Sequence, residues 1–325
     1  MIPIRDSNPS RNYPVVNTTI IVLNVFFFML EMTAGGDLNR VLFYYGLVPA
    51  RYSVPELSIH FGLFEQALPF LSFMFLHGGF WHLLGNMWFL YIFGDNVEDE
   101  LGHLRYIFFY LLCGWASGLT HFLFNFYSEV PTIGASGAIA GVMGAYLLLY
   151  PRARVLTLVP IIFIPYFFEI PAAFFLGVWF LFQFVSAAFS DPNVAGIAWW
   201  AHIGGFFFGM VFLKVFHYIP ASGITARMGR ATVRRKTPRL HVVKPARGGN
   251  GGAMYGTIAI TPEEAERGVK KHISLPVGFR KRVFRVVIPP GVTDGTTLRL
   301  SGIKGGDDDG GATDAFLKVL VRAER

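Results

Sequence analysis

The chain has 325 residues, 53% of them hydrophobic and only 15% charged, with phenylalanine alone contributing 34. This composition excludes an ordinary soluble domain and points to a membrane. A single cysteine, Cys113, excludes an internal disulfide and the paired thiolates of a structural zinc site. The formal charge of +7 is unevenly divided: residues from 218 onward carry 20 Lys and Arg against 9 Asp and Glu, and the first 217 carry 8 against 12.

Crossing a hydrocarbon core of about 30 Å takes about 20 apolar residues at a helical rise of about 1.5 Å each. Six such runs are present, at 14–33, 79–95, 104–126, 134–150, 171–189 and 197–217, the second and fourth at the short limit. The first lacks a small-residue cleavage site and is expected to be retained. Arg5, Arg11, Arg152, Arg154 and the basic tail place both termini on the cytoplasmic side, which agrees with an even number of spans. Arg40 and Arg51 in the first outer loop fit this orientation less well, as does the acidic segment Asp95, Glu98, Asp99, Glu100. The apolar run 155–170 is interrupted by Pro160, Pro165 and Glu169, with Pro171 following, and is expected as an irregular segment at the cytoplasmic interface.

The expected fold is therefore an all-α polytopic membrane domain (1–217), a basic flexible linker (218–252) and a small mainly-β cytoplasmic domain (253–325). The expected location is a prokaryotic plasma membrane.

Polar groups within apolar spans are costly and mark functional candidates. Four stand out, His82, Asn86, Ser136 and His202, each two to seven residues inside the same end of its span. His82 and Asn86, four apart, share a helix face. A serine hydroxyl needs a base within hydrogen-bond reach, and neutral histidine serves near pH 7. Ser136 and His202 supply that pair if spans four and six approach closely. Gly137, Gly141 and Gly144 on one and Gly205 and Gly209 on the other give the small-xxx-small pattern that permits it. Asn86, His82 and the Ser136 backbone N–H are candidate oxyanion donors. With no acidic residue placed as a third member, the expectation is a Ser-His dyad. Taken singly, each residue has a bland reading, a serine bonding back to its own helix or a histidine joining two helices. Their common depth and the glycine framing favour catalysis.

The strings Gly134-Ala135-Ser136-Gly137 and Ala201-His202-Ile203-Gly204-Gly205, with the His77, His82, Asn86 spacing, resemble the rhomboid family of intramembrane serine proteases over about the first 217 residues. The resemblance implies a six-helix bundle that cleaves transmembrane segments of other membrane proteins without a cofactor or metal. It also implies that the fifth helix and the loop near 190–197 form a lateral gate and cap, and that the apolar loop 35–78 lies partly in the interface. That loop has Ala50-Arg51-Tyr52 where some relatives have a Trp-Arg pair. His77 is expected at the water interface. Glu98, Gly102 and His103 are expected to be structural, with Arg105 as a candidate ion partner.

No His-Glu-x-x-His string is present, which argues against a zinc intramembrane protease, and no pair of aspartates lies near a span centre. A transporter is the main alternative from another class, against which no inverted repeat is detected.

Residues 221–252 hold eight Lys and Arg and no acid, closing with Gly248-Gly249-Asn250-Gly251-Gly252. Anionic lipid is the expected partner of this segment, not nucleic acid. Strands are expected at 256–260, 270–275, 283–288, 297–300 and 315–321. This segment resembles the C-terminal substrate-binding β-domain of DnaJ-type chaperones, through Ile260-Thr261-Pro262-Glu263-Glu264-Ala265, Val287-Ile288-Pro289-Pro290-Gly291-Val292 and Leu298-Arg299-Leu300-Ser301-Gly302. The resemblance implies a polypeptide client for the tail. A passive folded cap is the alternative. Asp307, Asp308 and Asp309 are expected at a hairpin tip.

Overall fold

The computed structural model describes residues 1–161, 163–191, 194, 196–219, 228–229, 231–233, 241–242, 246–247, 254–277, 280–303 and 313–322. Asp307 to Asp309, the Gly248–Gly252 run and most of the basic segment lie outside these residues. The chain forms two compact units, Met1–Arg234 and Arg235–Arg325.

The first unit is mainly helical. It contains β1 (Ile2–Asp6), α1 (Val15–Thr33), α2 (Leu38–Tyr45), a series of short helical turns between residues 50 and 75, α3 (Phe80–Leu101), α4 (His103–Phe124), α5 (Ser136–Leu149), β2 (Arg154–Ile161), β3 (Ile164–Pro171), α6 (Ala172–Ala188) and α7 (Trp199–Tyr218). Each of the six expected apolar runs coincides with one of α1, α3, α4, α5, α6 and α7. By length and composition, α1, α4 and α7 are the helices among the described residues that suffice to cross a membrane alone. The helical stretch Leu63–Phe75 and α3 pass that test only as a pair, bent by 77° at the intervening break. At 14 and 17 residues, α5 and α6 rise about 21 and 26 Å, short of the hydrocarbon thickness, so helix length alone carries three or four crossings and not six. A helix end inside a bilayer is tolerated where it faces protein or a water-filled cavity, and the N-terminus of α5 does face a cavity.

Apolar side chains on the outer faces, including Val22, Met29, Leu181, Phe182 and Phe207, are exposed. That pattern suits lipid and not water, and the chain is an integral membrane protein. The core between the helices is aromatic: Phe93, Tyr106, Phe109, Tyr110 and Tyr146 are fully buried.

Glycine sets the closest approach in the bundle. A Cβ on Gly205 would lie 2.0 Å from the Gly137 carbonyl oxygen, and one on Gly144 would lie 2.2 Å from that of Phe206. Larger residues at these positions would hold α5 and α7 apart, so the small residues bring the two backbones together.

The opposite end of the bundle is fixed by charge. No side chain of its own caps α1. Instead Glu98 of α3 accepts the backbone N–H groups of Val16 (2.9 Å) and Asn17 (2.7 Å) and pairs with the buried His103, whose Nε2 contacts the Thr232 hydroxyl at 2.7 Å. The structural role expected for Glu98 and His103 is visible here. The expected ion pairing of Arg105 is not seen among the described residues: its guanidinium donates to the carbonyls of Leu101 (2.6 Å) and Ile219 (3.0 Å), satisfying the ends of α3 and α7.

The run 154–171 is also more regular than expected. It forms a hairpin from Arg154↔Pro171 to Ile161↔Ile164, and β1 adds to β2 to give the order β1-β2-β3. Pro160 and Pro165 face each other near the tip of the hairpin, where proline costs little ladder bonding. Tyr146 donates to Asp6 at 2.7 Å and so ties β1 to α5.

The second unit holds two small sheets, ordered β5-β6-β10-β9 and β4-β7-β8, built from β4 (His241–Val242), β5 (Ala246–Arg247), β6 (Met254–Ile260), β7 (Val269–Val277), β8 (Arg280–Ile288), β9 (Thr297–Ile303) and β10 (Thr313–Val321). Each of the five strands expected from the sequence falls inside one of β6 to β10. The pair β6 and β10 is parallel, and Ile258, Ile260, Ile273, Val286, Leu317 and Val319 form the core. Between the sheets α8 (Pro262–Arg267) starts with a capping box, Thr261 accepting from the Glu264 N–H and Glu264 from the Thr261 N–H.

Candidate active site

The sharp entry to α5 positions Ser136. Gly134 has φ +121°, a backbone region that L side chains rarely adopt, and its N–H donates to the Phe73 carbonyl at 2.8 Å. A Cβ there would meet His82 Cε1 at 2.8 Å and approach Asn86 Nδ2 at 3.6 Å. The turn therefore passes directly against His82 and Asn86 and delivers Ser136 as the first residue of α5. There the N–H groups lack intrahelical partners and the helix dipole is positive.

Ser136 Oγ lies 2.7 Å from Nε2 of His202, the fourth residue of α7. The pair is held by the glycine-mediated contact of α5 with α7, as the spacing required. His202 is buried, its ring 6.0 Å from that of Trp179 and 6.2 Å from that of Trp199. On α3, the buried Asn86 side chain has no hydrogen-bond partner for Nδ2 among the described residues. Ser136, His202, His82 and Asn86 all border one cavity of about 980 Å³, together with Phe43 of α2, His121 of α4 and Trp179 of α6.

Two residues behave differently from the sequence reading. His77 is not at a water interface: it is 1% exposed, and its backbone N–H donates to both carboxylate oxygens of Glu31, at 3.0 and 3.1 Å. Gln183 of α6, which the sequence reading missed, places Oε1 2.7 Å from His202 Nδ1. Its signal was present in the sequence, since it is the only amide in a helix that has one other polar side chain, Ser186, and none that is ionisable.

The segment that follows α2, whose Phe43 borders the cavity, is organised by Arg51. Fully buried, it donates to the carbonyls of Phe43 (3.2 Å), Tyr44 (2.9 Å) and Glu65 (3.0 Å), and its guanidinium lies 3.6 Å from the centre of the Phe61 ring. Next to it the Tyr52 hydroxyl donates to the Gln66 carbonyl at 2.7 Å, and burial pushes its pKa up to about 12. Among the described residues no cluster of His, Cys, Asp or Glu has the makings of a metal site.

The segment that carries the Ser136–His202 contact and Asn86 also matches a known family by sequence. Residues 65–219 match the Rhomboid domain. That segment includes Asn86, Ser136, Gln183 and His202. The chain is similar to Rhomboid protein 1, mitochondrial, of Saccharomyces cerevisiae, 31% identical over 149 residues, 42% of this chain and 38% of that one. It is similar to Rhomboid protease GluP of Bacillus subtilis, 30% identical over 141 residues, covering 41% of this chain and 24% of the relative. RHOMBOID-like protein 5 of Arabidopsis thaliana is 39% identical over 77 residues, 24% of this chain and 25% of the relative. The chain thus spans between about a quarter and two fifths of these relatives' lengths.

Proposed function

We propose that the chain is an intramembrane serine endopeptidase that cleaves transmembrane segments of other membrane proteins through an acyl-enzyme on Ser136. The observation that carries this reading is the 2.7 Å contact between Ser136 Oγ and His202 Nε2 on the wall of a cavity inside an apolar bundle.

His202 takes the hydroxyl proton as Ser136 attacks the scissile carbonyl, and returns it to the leaving amine. Water then hydrolyses the ester with His202 as base. Asn86, His82 and the Ser136 backbone N–H receive the oxyanion. An unpartnered donor that costs free energy at rest is repaid when charge develops beside it. No cofactor takes part. A substrate helix entering past α6 must unwind before its carbonyl can reach Ser136, which favours small and helix-breaking residues at the cleavage site. In this reading both termini are cytoplasmic, the membrane is a prokaryotic plasma membrane, and the basic residues after α7 meet anionic lipid. The second unit, resembling a DnaJ-type β-domain, then offers a surface to polypeptide segments.

The test is fluorophosphonate labelling of purified, detergent-solubilised protein. Wild type is expected to label, and Ser136→Ala and His202→Ala are not. A folded wild type that takes no label and cleaves no transmembrane substrate would overturn the reading.

A further inference from the structure

The Gln183 amide is oriented by its own helix. Its Nε2 reaches the carbonyl of Trp179, one turn earlier, at 3.4 Å. A carbonyl can only accept, so the NH2 end of the amide faces Trp179 and the oxygen faces α7. That oxygen lies 2.7 Å from His202 Nδ1 and can likewise only accept, so Nδ1 must carry the proton. The lone pair of the neutral imidazole then falls on Nε2, the atom that faces the Ser136 hydroxyl at 2.7 Å. One orientation of one amide thus selects the tautomer that a general base requires. Gln183 is 4% exposed and His202 8%, so water competes poorly for either group.

We infer that Gln183 is a positioning residue of the proposed protease. It holds His202 in the Nδ1–H tautomer and in register with Ser136, in the place a carboxylate occupies in a Ser-His-Asp triad. The inference rests on the proteolytic reading of the site. The role also makes α6 part of the catalytic machinery: a displacement of α6 away from α7 withdraws the acceptor from Nδ1 and frees the imidazole to rotate.

The experiment uses the full-length protein in detergent, with Gln183→Leu, Gln183→Glu and Ser136→Ala compared with wild type. Three quantities are measured: the rate of fluorophosphonate labelling, kcat and KM on a transmembrane peptide, and the thermal midpoint. Gln183→Leu is expected to label about 10- to 100-fold more slowly, with kcat down by the same factor and KM unchanged. Gln183→Glu keeps an acceptor at Nδ1 and is expected to label at no less than about a third of the wild-type rate. Labelling of folded Gln183→Leu within about twofold of wild type, or a loss confined to KM, overturns the inference. So does slow labelling of a Gln183→Glu protein that keeps its thermal midpoint, and this arm decides the matter if Gln183→Leu does not fold. A labelled wild type with an indifferent Gln183→Leu defeats only this inference, whereas an unlabelled and inactive wild type defeats the proteolytic reading and this inference with it.

Discussion

A Cβ on Gly209 would lie 2.1 Å from the carbonyl oxygen of Gly141, so the sixth apolar helix touches the nucleophile helix backbone to backbone. No rotamer relieves such a clash, because the obstacle is main chain. Gly209→Ala must separate α5 from α7, at an overpacking cost of about 1–3 kcal/mol, and the Ser136–His202 contact opens with it. The expected outcome is a lower thermal midpoint together with slower fluorophosphonate labelling. Gly177→Ala in α6, where a Cβ would meet nothing within 4 Å, is the control and should change neither. Equal behaviour of the two variants would remove the glycine contact from the account.

In the proposed reaction Asn86 contributes only once charge develops. Its Nδ2 is buried without a partner among the described residues, so Asn86→Ala removes no ground-state bond of that atom and should leave stability nearly intact. Loss of one oxyanion donor lowers kcat by about 100- to 1000-fold. Steady-state cleavage of a transmembrane substrate by Asn86→Ala should therefore show a reduced kcat at nearly constant KM, with His82→Ala changing in the same direction. A fall in thermal midpoint with unchanged kcat would make Asn86 a packing residue instead.

Six helices of the first unit were legible because apolar length announces a span, and each expected run has a helix within a few residues of it, although α5 and α6 are too short to cross by length alone; α2 and the helical turns between residues 50 and 75 fell in a segment read only as an apolar loop. The approach of Ser136 to His202, the proposed catalytic pair, was legible for a related reason: a serine and a histidine at one depth of an apolar bundle are conspicuous, and the glycines opposite them supply the approach. Contacts made across long stretches of sequence without such a pattern of polar residues and glycines were not legible. Prolines at 160, 165 and 171 disguised a hairpin whose third strand, β1, comes from the other end of the domain. His77 looked interfacial because nothing near it in sequence announces Glu31, 46 residues away. Arg105 looked like an ion partner because a side chain serving carbonyls at two helix ends leaves no trace in composition. Gln183 was overlooked among more reactive neighbours, although its polarity within α6 marked it. In the second unit, short strand-like runs and the turn signals between several of them gave the strands, while the parallel pairing of β6 with β10 could not follow from them.

Glu98 is expected to dominate the stability of the first unit. It is 1% exposed and serves two backbone N–H groups of α1 as well as His103. Glu98→Ala leaves those donors buried and unanswered, a loss of about 3–5 kcal/mol for a broken buried pair. Thermal unfolding in detergent should show a midpoint lower by about 6–20 °C at about 2–4 °C per kcal/mol, the largest fall among the variants considered. Labelling at Ser136 per folded molecule should hardly change, since Glu98 lies toward the opposite end of α3 from Asn86. A midpoint within about 2 °C of wild type would show that water or another group replaces the carboxylate.

Arg51 separates charge from shape. Burial pulls its pKa down, with Tyr52 and Glu65 pulling it back up, and a guanidinium remains cationic through such a shift. Arg51→Lys keeps that charge but loses the planar fork that spans the Phe43, Tyr44 and Glu65 carbonyls and the stacking on Phe61. Two of those carbonyls belong to α2, whose Asn39, Leu42 and Phe43 border the cavity, so the fault should reach substrate binding before it reaches chemistry. Arg51→Lys is expected to raise KM by about 3- to 10-fold, leave kcat within about twofold, and speed limited proteolysis between residues 35 and 78. If Arg51→Lys matched wild type in KM and protease resistance while Arg51→Leu did not, charge alone would suffice and the geometric argument would fail.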